Sequence, residues 1–321
     1  MDLDTIAREL LRALRGKRSQ TAFSRRLGYK SNVAYAWESG KRAPTAAEAL
    51  RAAARVGVDV RAALRAFYRQ EPHWLHAVDP ATPAGVAALL RDLRGETPIQ
   101  RIAHASGLSR FAVARVLSGA SEPKFGDFLR LIDACVLRAL DLCASLVDPA
   151  LLPSARRPWA RLEAQRKLAD AQPYTQAVSR ALEIADYQSL PAHVDGWIAA
   201  RLRIDPAVER ACLTALEAAG QIAWDGVRWH PSDVGAVDTR RDPEVGKRLK
   251  TWWAKVGLDR MGTDPDGLWS YNVFAVSEAD LVKIRELHLA YFRALRAIVA
   301  ESSPTERVVV ANVQLFALDP G

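Results

Sequence analysis

The chain has 321 residues, of which 49% are hydrophobic, with a formal net charge of +8 and three cysteines. This length predicts two or three domains with substantial cores. The cysteines are too few for a disulfide framework, and the apolar runs are shorter than the roughly 18 residues that a membrane span needs. The acidic, amphipathic N-terminus is unlike a signal peptide. We therefore expect a cytoplasmic protein that makes no membrane contact.

Excess positive charge is confined to the N-terminal end. Residues 1–70 carry 15 Lys and Arg against 6 Asp and Glu, a net charge of +9. Residues 71–150 carry 8 against 9, a net charge of −1, and residues 151–321 carry 22 against 22, a net charge of 0. A basic region attracts polyanions. A nucleic-acid contact is therefore predicted within the first seventy residues.

The sequence contains an internal repeat with a period of 79 residues. Shifting the chain by this amount without a gap superimposes glycine, proline and a Ser-Gly pair in one register, which indicates two copies of one structural unit. The superimposed pairs are Gly28 with Gly107, Ser39-Gly40 with Ser118-Gly119, and Pro44 with Pro123.

The first copy reads as three short helices. Ser19 is predicted to cap a helix that runs through Arg26, and Gly28 supplies the left-handed residue that ends it. A second helix is predicted from about 31 to 39, and Pro44-Thr45 opens a third. Two short helices joined by a turn that contains glycine form a helix-turn-helix.

The stretch "SQTAFSRRLGYKSNVAYAWESGKRAPTAAEALRAAARVGVD" resembles the Cro/CI-type (XRE-like) helix-turn-helix over residues 5–68. It departs from the family pattern at Ser24, where the family usually has alanine. The segment 71–150 keeps the same skeleton in "IAHASGLS" and is interpreted as a second, degenerate copy. The resemblance implies a mostly α-helical protein whose domain 1–70 binds double-stranded DNA in a sequence-specific manner.

In this fold the second helix enters the major groove, and neighbouring groups contact phosphates. Asparagine can pair with adenine, serine with several bases, and cations with phosphate. An alternative is that the cations only solvate a surface. By this resemblance the first copy would read bases with Lys30, Ser31, Asn32 and Tyr35 and contact the backbone with Gln20, Lys41 and Arg42.

The second copy keeps the frame and loses most of these side chains, since Ile99, Ala114, Ala120 and Ser121 replace polar or basic residues. We interpret it either as a packing or dimerisation copy or as a second reader of DNA. The candidate contacts for the second reading are Ser109, Arg110 and Arg115. A basic, proline-containing linker with a short helix is predicted at 151–174.

The segment 175–235 has the order helix, helix, hairpin, which is the outline of a winged helix. The helix in the reading position carries Asp205, Glu209 and Glu217. These carboxylates would repel phosphate, so the unit is interpreted as a protein-binding or relay module. Within it, "QIAWDGVRW" predicts a two-residue turn at Asp225-Gly226, with Trp224 opposite Val227.

The segment 236–321 is predicted to be a small α+β domain for dimerisation or sensing. "LWSYNVFAV" (268–276) and "ERVVVANVQLFAL" (306–318) read as strands that pair, and a long helix capped by Ser277 lies between them. The ending V-x-x-x-N-x-Q-L-F, with the winged unit and the Cro/CI-type N-terminus, resembles an uncharacterised family of bacterial transcriptional regulators. That resemblance covers about 175–318.

No phosphate loop, nucleophile elbow or metal motif is present in the sequence, and the pair His73 and His76 has no nearby ligand to complete a site. We therefore expect no enzyme activity, metal or cofactor. The hypothesis is a transcriptional regulator, a repressor that binds an inverted repeat as a homodimer, with a small-molecule or protein effector at the C-terminal half. The rivals are an antitoxin-type regulator that neutralises a protein partner and an enzyme with a DNA-targeting head.

Overall fold

The computed structural model describes residues 1–68, 71–232 and 242–319, and these residues are mostly helical with one two-stranded sheet. The predicted mostly α-helical class with a small β component is confirmed. The chain divides into two compact units, Met1–Glu163 and Ala164–Gly321. Two of the predicted domain boundaries, at residues 70 and 235, lie outside the described residues.

The first copy of the repeat contains five helices whose ends follow local signals. The hydroxyl of Ser19 accepts from the backbone N–H of Ala22 at 3.1 Å. Thr45 and Glu48 form a reciprocal capping box at the start of the fourth helix. The five helices are α1 (Leu3–Arg15), α2 (Gln20–Arg26), α3 (Val33–Glu38), α4 (Ala46–Arg55) and α5 (Val60–Tyr68).

The second copy repeats this order after a short helix, α6 (His73–Ala77). Its helices α8, α10 and α11 begin 79 residues after α2, α4 and α5. The glycines that end corresponding helices also match, since Gly40 has a φ of 77° and Gly119 a φ of 81°. The sequence repeat therefore corresponds to a repeat of helices in the structure. The five helices are α7 (Pro83–Arg94), α8 (Ile99–Ser106), α9 (Arg110–Ser118), α10 (Phe125–Val136) and α11 (Ala139–Leu146).

The two copies meet at a pair of residues that are equivalent under the repeat. Thr45 and Lys124 form an isolated antiparallel bridge. On one side the N–H of Ala46 donates to the carbonyl of Pro123, and on the other the N–H of Phe125 donates to the carbonyl of Pro44, both at 2.9 Å. Exchanging the copies exchanges these two bonds. A local twofold axis therefore passes between Thr45 and Lys124.

Helix packing follows the same symmetry. α1 packs on α10 and the equivalent α7 packs on α4, while α5 packs on its own equivalent, α11. The buried apolar side chains of both copies belong to one continuous core. The two copies are thus halves of one compact unit.

The predicted linker is largely helical, because α12 (Pro153–Ala171) spans most of it. A 3₁₀ turn, Pro149–Leu151, precedes this helix. The elements that follow are α13 (Tyr174–Ala181), α14 (Ala185–Gln188), α15 (Trp197–Leu202), α16 (Pro206–Ala218), β1 (Ile222–Trp224), β2 (Trp229–Pro231), α17 (Pro243–Met261) and α18 (Glu278–Glu301).

Two buried polar side chains organise the core of the second unit. Tyr187 is fully buried, and its hydroxyl accepts a hydrogen bond from the backbone N–H of Trp229 at 3.2 Å. The same hydroxyl forms a hydrogen bond with Nδ1 of His193, also at 3.2 Å. Buried Glu209 accepts from the N–H groups of Gly196 and Ala199 at the start of α15. The acidic character of α16 is therefore partly internal, since Glu209 caps a neighbouring helix.

The predicted hairpin exists with a different register. Trp224 lies opposite Trp229 and Ile222 opposite Pro231, so four residues form the loop where two were expected. Oδ1 of Asp225 accepts from the N–H groups of Val227 and Arg228 at 2.8 Å. This side-chain bonding within the loop favours the longer turn over the two-residue turn.

The prediction of two paired strands at 268–276 and 306–318 is wrong. Neither stretch forms a strand or has a strand partner among the described residues, and α18 between them has no buried residue. Thr305 accepts the N–H of Ala185 on its carbonyl at 2.7 Å, which attaches the start of the second stretch to the unit. Strand propensity needs a partner edge to form a ladder. Residues 1–68, 71–232 and 242–319 supply no such edge to either stretch.

Candidate nucleic-acid interface

The candidate reading helix, α3, is fixed at both ends by local contacts. Asn32 caps it, since its Oδ1 accepts from the N–H of Tyr35 at 3.2 Å and from the hydroxyl of Ser24 at 3.3 Å. Its inner face carries Trp37, which is 1% exposed and packs edge-on against Tyr29 at 5.7 Å between ring centroids. The orientation of the outer face therefore follows from the core.

A buried carboxylate ties the first three helices together. Glu38, at the end of α3, receives Nε of Arg15 on Oε1 at 2.6 Å and the amide of Gln20 on Oε2 at 2.9 Å. Arg12 lies 3.8 Å from the same side chain. This network joins α1, α2 and α3. Sequence reasoning missed it, although a glutamate beside the core tryptophan in a strongly basic segment was a usable signal.

The outer face of α3 and its flanking turns presents polar and basic groups. Lys30, Ser31 and Asn32 are exposed at its N-terminal side. Tyr35 is 46% exposed, and Nζ of Lys41 lies 4.8 Å from the centre of its ring. Three of the predicted contact residues thus lie exposed just before α3, Tyr35 lies in its first turn, and Lys41 folds back onto Tyr35 from beyond the end of the helix.

Besides Asn32, whose amide oxygen accepts the two bonds described above, two further predicted contact residues already have protein partners. Gln20 donates its amide to Glu38, and Arg42 forms an ion pair with Oε1 of Glu48 at 3.4 Å. The hydroxyl of Tyr29 donates to the same Oε1 at 3.1 Å, and burial, with the charge of Glu48, raises the pKa of Tyr29. Arg42 is otherwise exposed. Its side chain is 56% exposed and lies outside the core.

In the second copy the equivalent helix is α9. The hydroxyl of Ser109 caps it by accepting the N–H of Ala112 at 3.2 Å, and Arg110 and Arg115 are exposed. At the position of Asn32 stands Phe111, which is 81% exposed. The sequence analysis did not identify Phe111 as a candidate contact residue. The signal that could have identified it is its position in the repeat, which is equivalent to that of Asn32, a predicted base contact.

Among residues 1–68, 71–232 and 242–319, no group of three His, Cys, Asp or Glu side chains is placed to hold a metal ion. In the same ranges no helix is both long and apolar enough to cross a bilayer. The expectations of no enzyme activity and no cofactor remain predictions.

These features define a mostly α-helical protein with a duplicated five-helix unit followed by a second compact unit. The family model described as a domain of unknown function (DUF4423) matches residues 158–318, half of the chain, and the chain belongs to this family. The match confirms the predicted C-terminal resemblance and begins earlier, inside α12. No similar curated protein and no similar solved structure is found for the chain.

Proposed function

We propose that this protein is a sequence-specific DNA-binding transcriptional regulator, a repressor that acts as a homodimer. The observation that carries the proposal is the outer face of α3. Exposed Lys30, Asn32 and Tyr35 lie there beside Lys41 and Arg42, in a region with a net charge of +9. Reading helices present such side chains to base edges, and the cations to phosphate.

We propose that the homodimer interface is formed by the C-terminal unit. Its 24-residue helix α18 has no buried residue, and large apolar side chains such as Leu287 and Tyr291 are exposed. The stretches 268–276 and 306–318 are also apolar and largely exposed, and their strand-like sequences have no ladder partner among the described residues. A second copy carries the same helix and the same stretches, so a twofold pairing would cover each surface with its equivalent.

An antitoxin-type regulator is the second candidate, because the same apolar surface suits a different protein partner. Light scattering on the purified chain distinguishes the two. A dimer that Leu287→Glu converts to a monomer supports self-association. A monomeric wild-type chain that binds the product of an adjacent gene in a defined ratio would favour the antitoxin.

We also propose that the C-terminal half binds an effector. The candidate binding site is a depression of about 330 Å³ beside Asp170, Arg248 and Trp252.

The DNA proposal is tested by binding selection from random duplexes with the full-length protein, followed by affinity measurements over a range of salt. A defined motif bound at least about a thousandfold more tightly than random DNA is expected. Weak binding with no enriched motif would overturn the proposal. An enriched inverted repeat would support two symmetric readers.

Variants separate phosphate contacts from base contacts. Lys41→Ala with Arg42→Ala should weaken binding to every sequence and reduce the salt slope by about 2. The matched control, Arg61→Ala with Arg65→Ala on α5, removes the same charge away from α3. Asn32→Ser keeps a helix cap and removes the amide, so it should relax preference at one base pair. Equal losses for both double variants would indicate only a general charge effect.

A further inference from the structure

The geometry points to a single chain that carries two unequal DNA readers, α3 and α9, arranged about the local twofold axis. One chain would therefore cover both halves of an imperfect inverted repeat. This inference rests on the proposed DNA-binding function. It goes beyond it because the symmetry of the site is supplied within the chain and not by the homodimer.

The first support is the symmetry of the junction. Thr45 and Lys124 are equivalent residues of the two copies, and the two bonds that flank them are exchanged by a half-turn. A second contact across the axis pairs equivalent helices, α5 with α11. Two separate contacts between equivalent parts define one axis. The copies are therefore arranged like the subunits of a twofold dimer.

The second support is that short connections of equal length join the two reading helices to this axis. The short connection from Ser39 to Pro44 leads directly from the end of α3 to Thr45, and the equivalent connection leads from α9 to Lys124. Neither helix end can lie more than about 24 Å from the bridge, given the reach of seven residues. Half-sites one helical turn apart need reading helices about 34 Å apart. The upper limit set by the two connections includes this spacing.

The third support is the outer surface of α9. Phe111 is 81% exposed at the position that Asn32 occupies in the first copy, with Arg110 beside it. An exposed phenylalanine on a helix that packs well on its other face indicates a contact surface. In a major groove, an apolar side chain recognises the methyl group of thymine. The second copy would thus read a thymine-containing half-site.

The two readers would contribute differently. The first copy has a net charge of +9 and the segment of the second has −1. Phosphate attraction, and hence most of the affinity, would come from the first copy. The second copy would add discrimination between sequences. The operator is then expected to be an inverted repeat whose halves differ in sequence.

The test uses the full-length protein and the duplex enriched by selection. Hydroxyl-radical footprints should show two protected half-sites, and a titration should saturate one such pair with one chain. Asn32→Ser should relax preference in one half only. Phe111→Ala should relax preference in the other half only and weaken binding roughly ten-fold. Arg115→Ala serves as a second variant on the same helix, and circular dichroism verifies that each variant is folded.

The outcomes separate the two proposals. No enriched motif would overturn DNA reading altogether. Two identical half-sites, both relaxed by Asn32→Ser and neither affected by Phe111→Ala or Arg115→Ala, would support a homodimer of single readers and overturn the inference. A single protected half-site per chain would overturn it as well.

Discussion

Arg15 and Glu38 form a bidentate ion pair between α1 and α3, with Nε to Oε1 at 2.6 Å and one terminal nitrogen to Oε2 at 3.2 Å. The carboxylate is almost fully buried, and its side chain is 3% exposed. The orientation of the candidate reading helix therefore depends on a charge pair inside the first unit.

Arg15→Ala should destabilise the first unit by about 3 kcal/mol, because it leaves a buried carboxylate without its main partner. Arg12→Ala removes a more distant and exposed cation from the same carboxylate, and it should cost less than about 1 kcal/mol. Urea unfolding followed by circular dichroism measures both. Equal costs for the two variants would contradict a special role for Arg15.

Gly85→Ala should destabilise the protein although alanine favours helices. A Cβ at Gly85 would lie 2.2 Å from the carbonyl oxygen of Asp79 and 2.6 Å from Cα of Pro80. Both are backbone atoms, so the chain must shift, and such overpacking costs about 2 kcal/mol. Thermal unfolding measures the change.

Gly257→Ala is the matched helical control with the opposite expected sign. Its nearest neighbour to a Cβ is an atom of Trp269 at 4.0 Å, so the added methyl group fits. The substitution should stabilise α17 by about 1 kcal/mol through helix propensity. A stabilising Gly85→Ala would show that the turn before α7 adjusts freely.

The hairpin loop should depend on pH below the usual carboxylate range. Hydrogen bonds from Arg228 and Val227 N–H groups, and then the contact with His230, lower the pKa of Asp225 from 3.8 to about 2. Its contribution to hairpin stability is therefore complete above pH 3.8 and is lost as the pH falls through 2. Carbon NMR of the carboxyl group should give a midpoint near 2.

His230→Gln tests the order of these causes. Removing the imidazole should raise the pKa of Asp225 only in part, because the two backbone bonds remain. A midpoint near 3.8 in the wild-type protein would show that the loop does not hold the carboxylate as described.

Cys143 should resist alkylation in the native protein. Burial, together with the charge of Asp133, raises the pKa of its thiol to about 12, and burial raises that of Cys212 to about 11. Thiolate is the reactive form, so iodoacetamide at pH 8 should modify neither residue until denaturant is added. Native modification of Cys143 at the rate of a free thiol would require an opening of the core around α11.

Elements that depend on neighbours a few residues away can be predicted from the sequence of this protein. The cap at Ser19, the helix that opens after Pro44-Thr45 and the cap at Ser277 all lie where the pattern predicts them. The repeat of 79 residues also predicted which helices correspond. These signals are local hydrogen bonds and steric preferences, so they can be read along the chain.

Features that depend on partners distant in the sequence are visible only in the tertiary structure. The pairing of Thr45 with Lys124, the burial of Glu38 beside Arg15 and the exposure of Phe111 all follow from helix packing. Strand-like patterns at 268–276 and 306–318 could not reveal that no ladder partner lies among the described residues. A strand is a relationship between two segments, and a single segment's alternation or burial pattern carries no information about its partner.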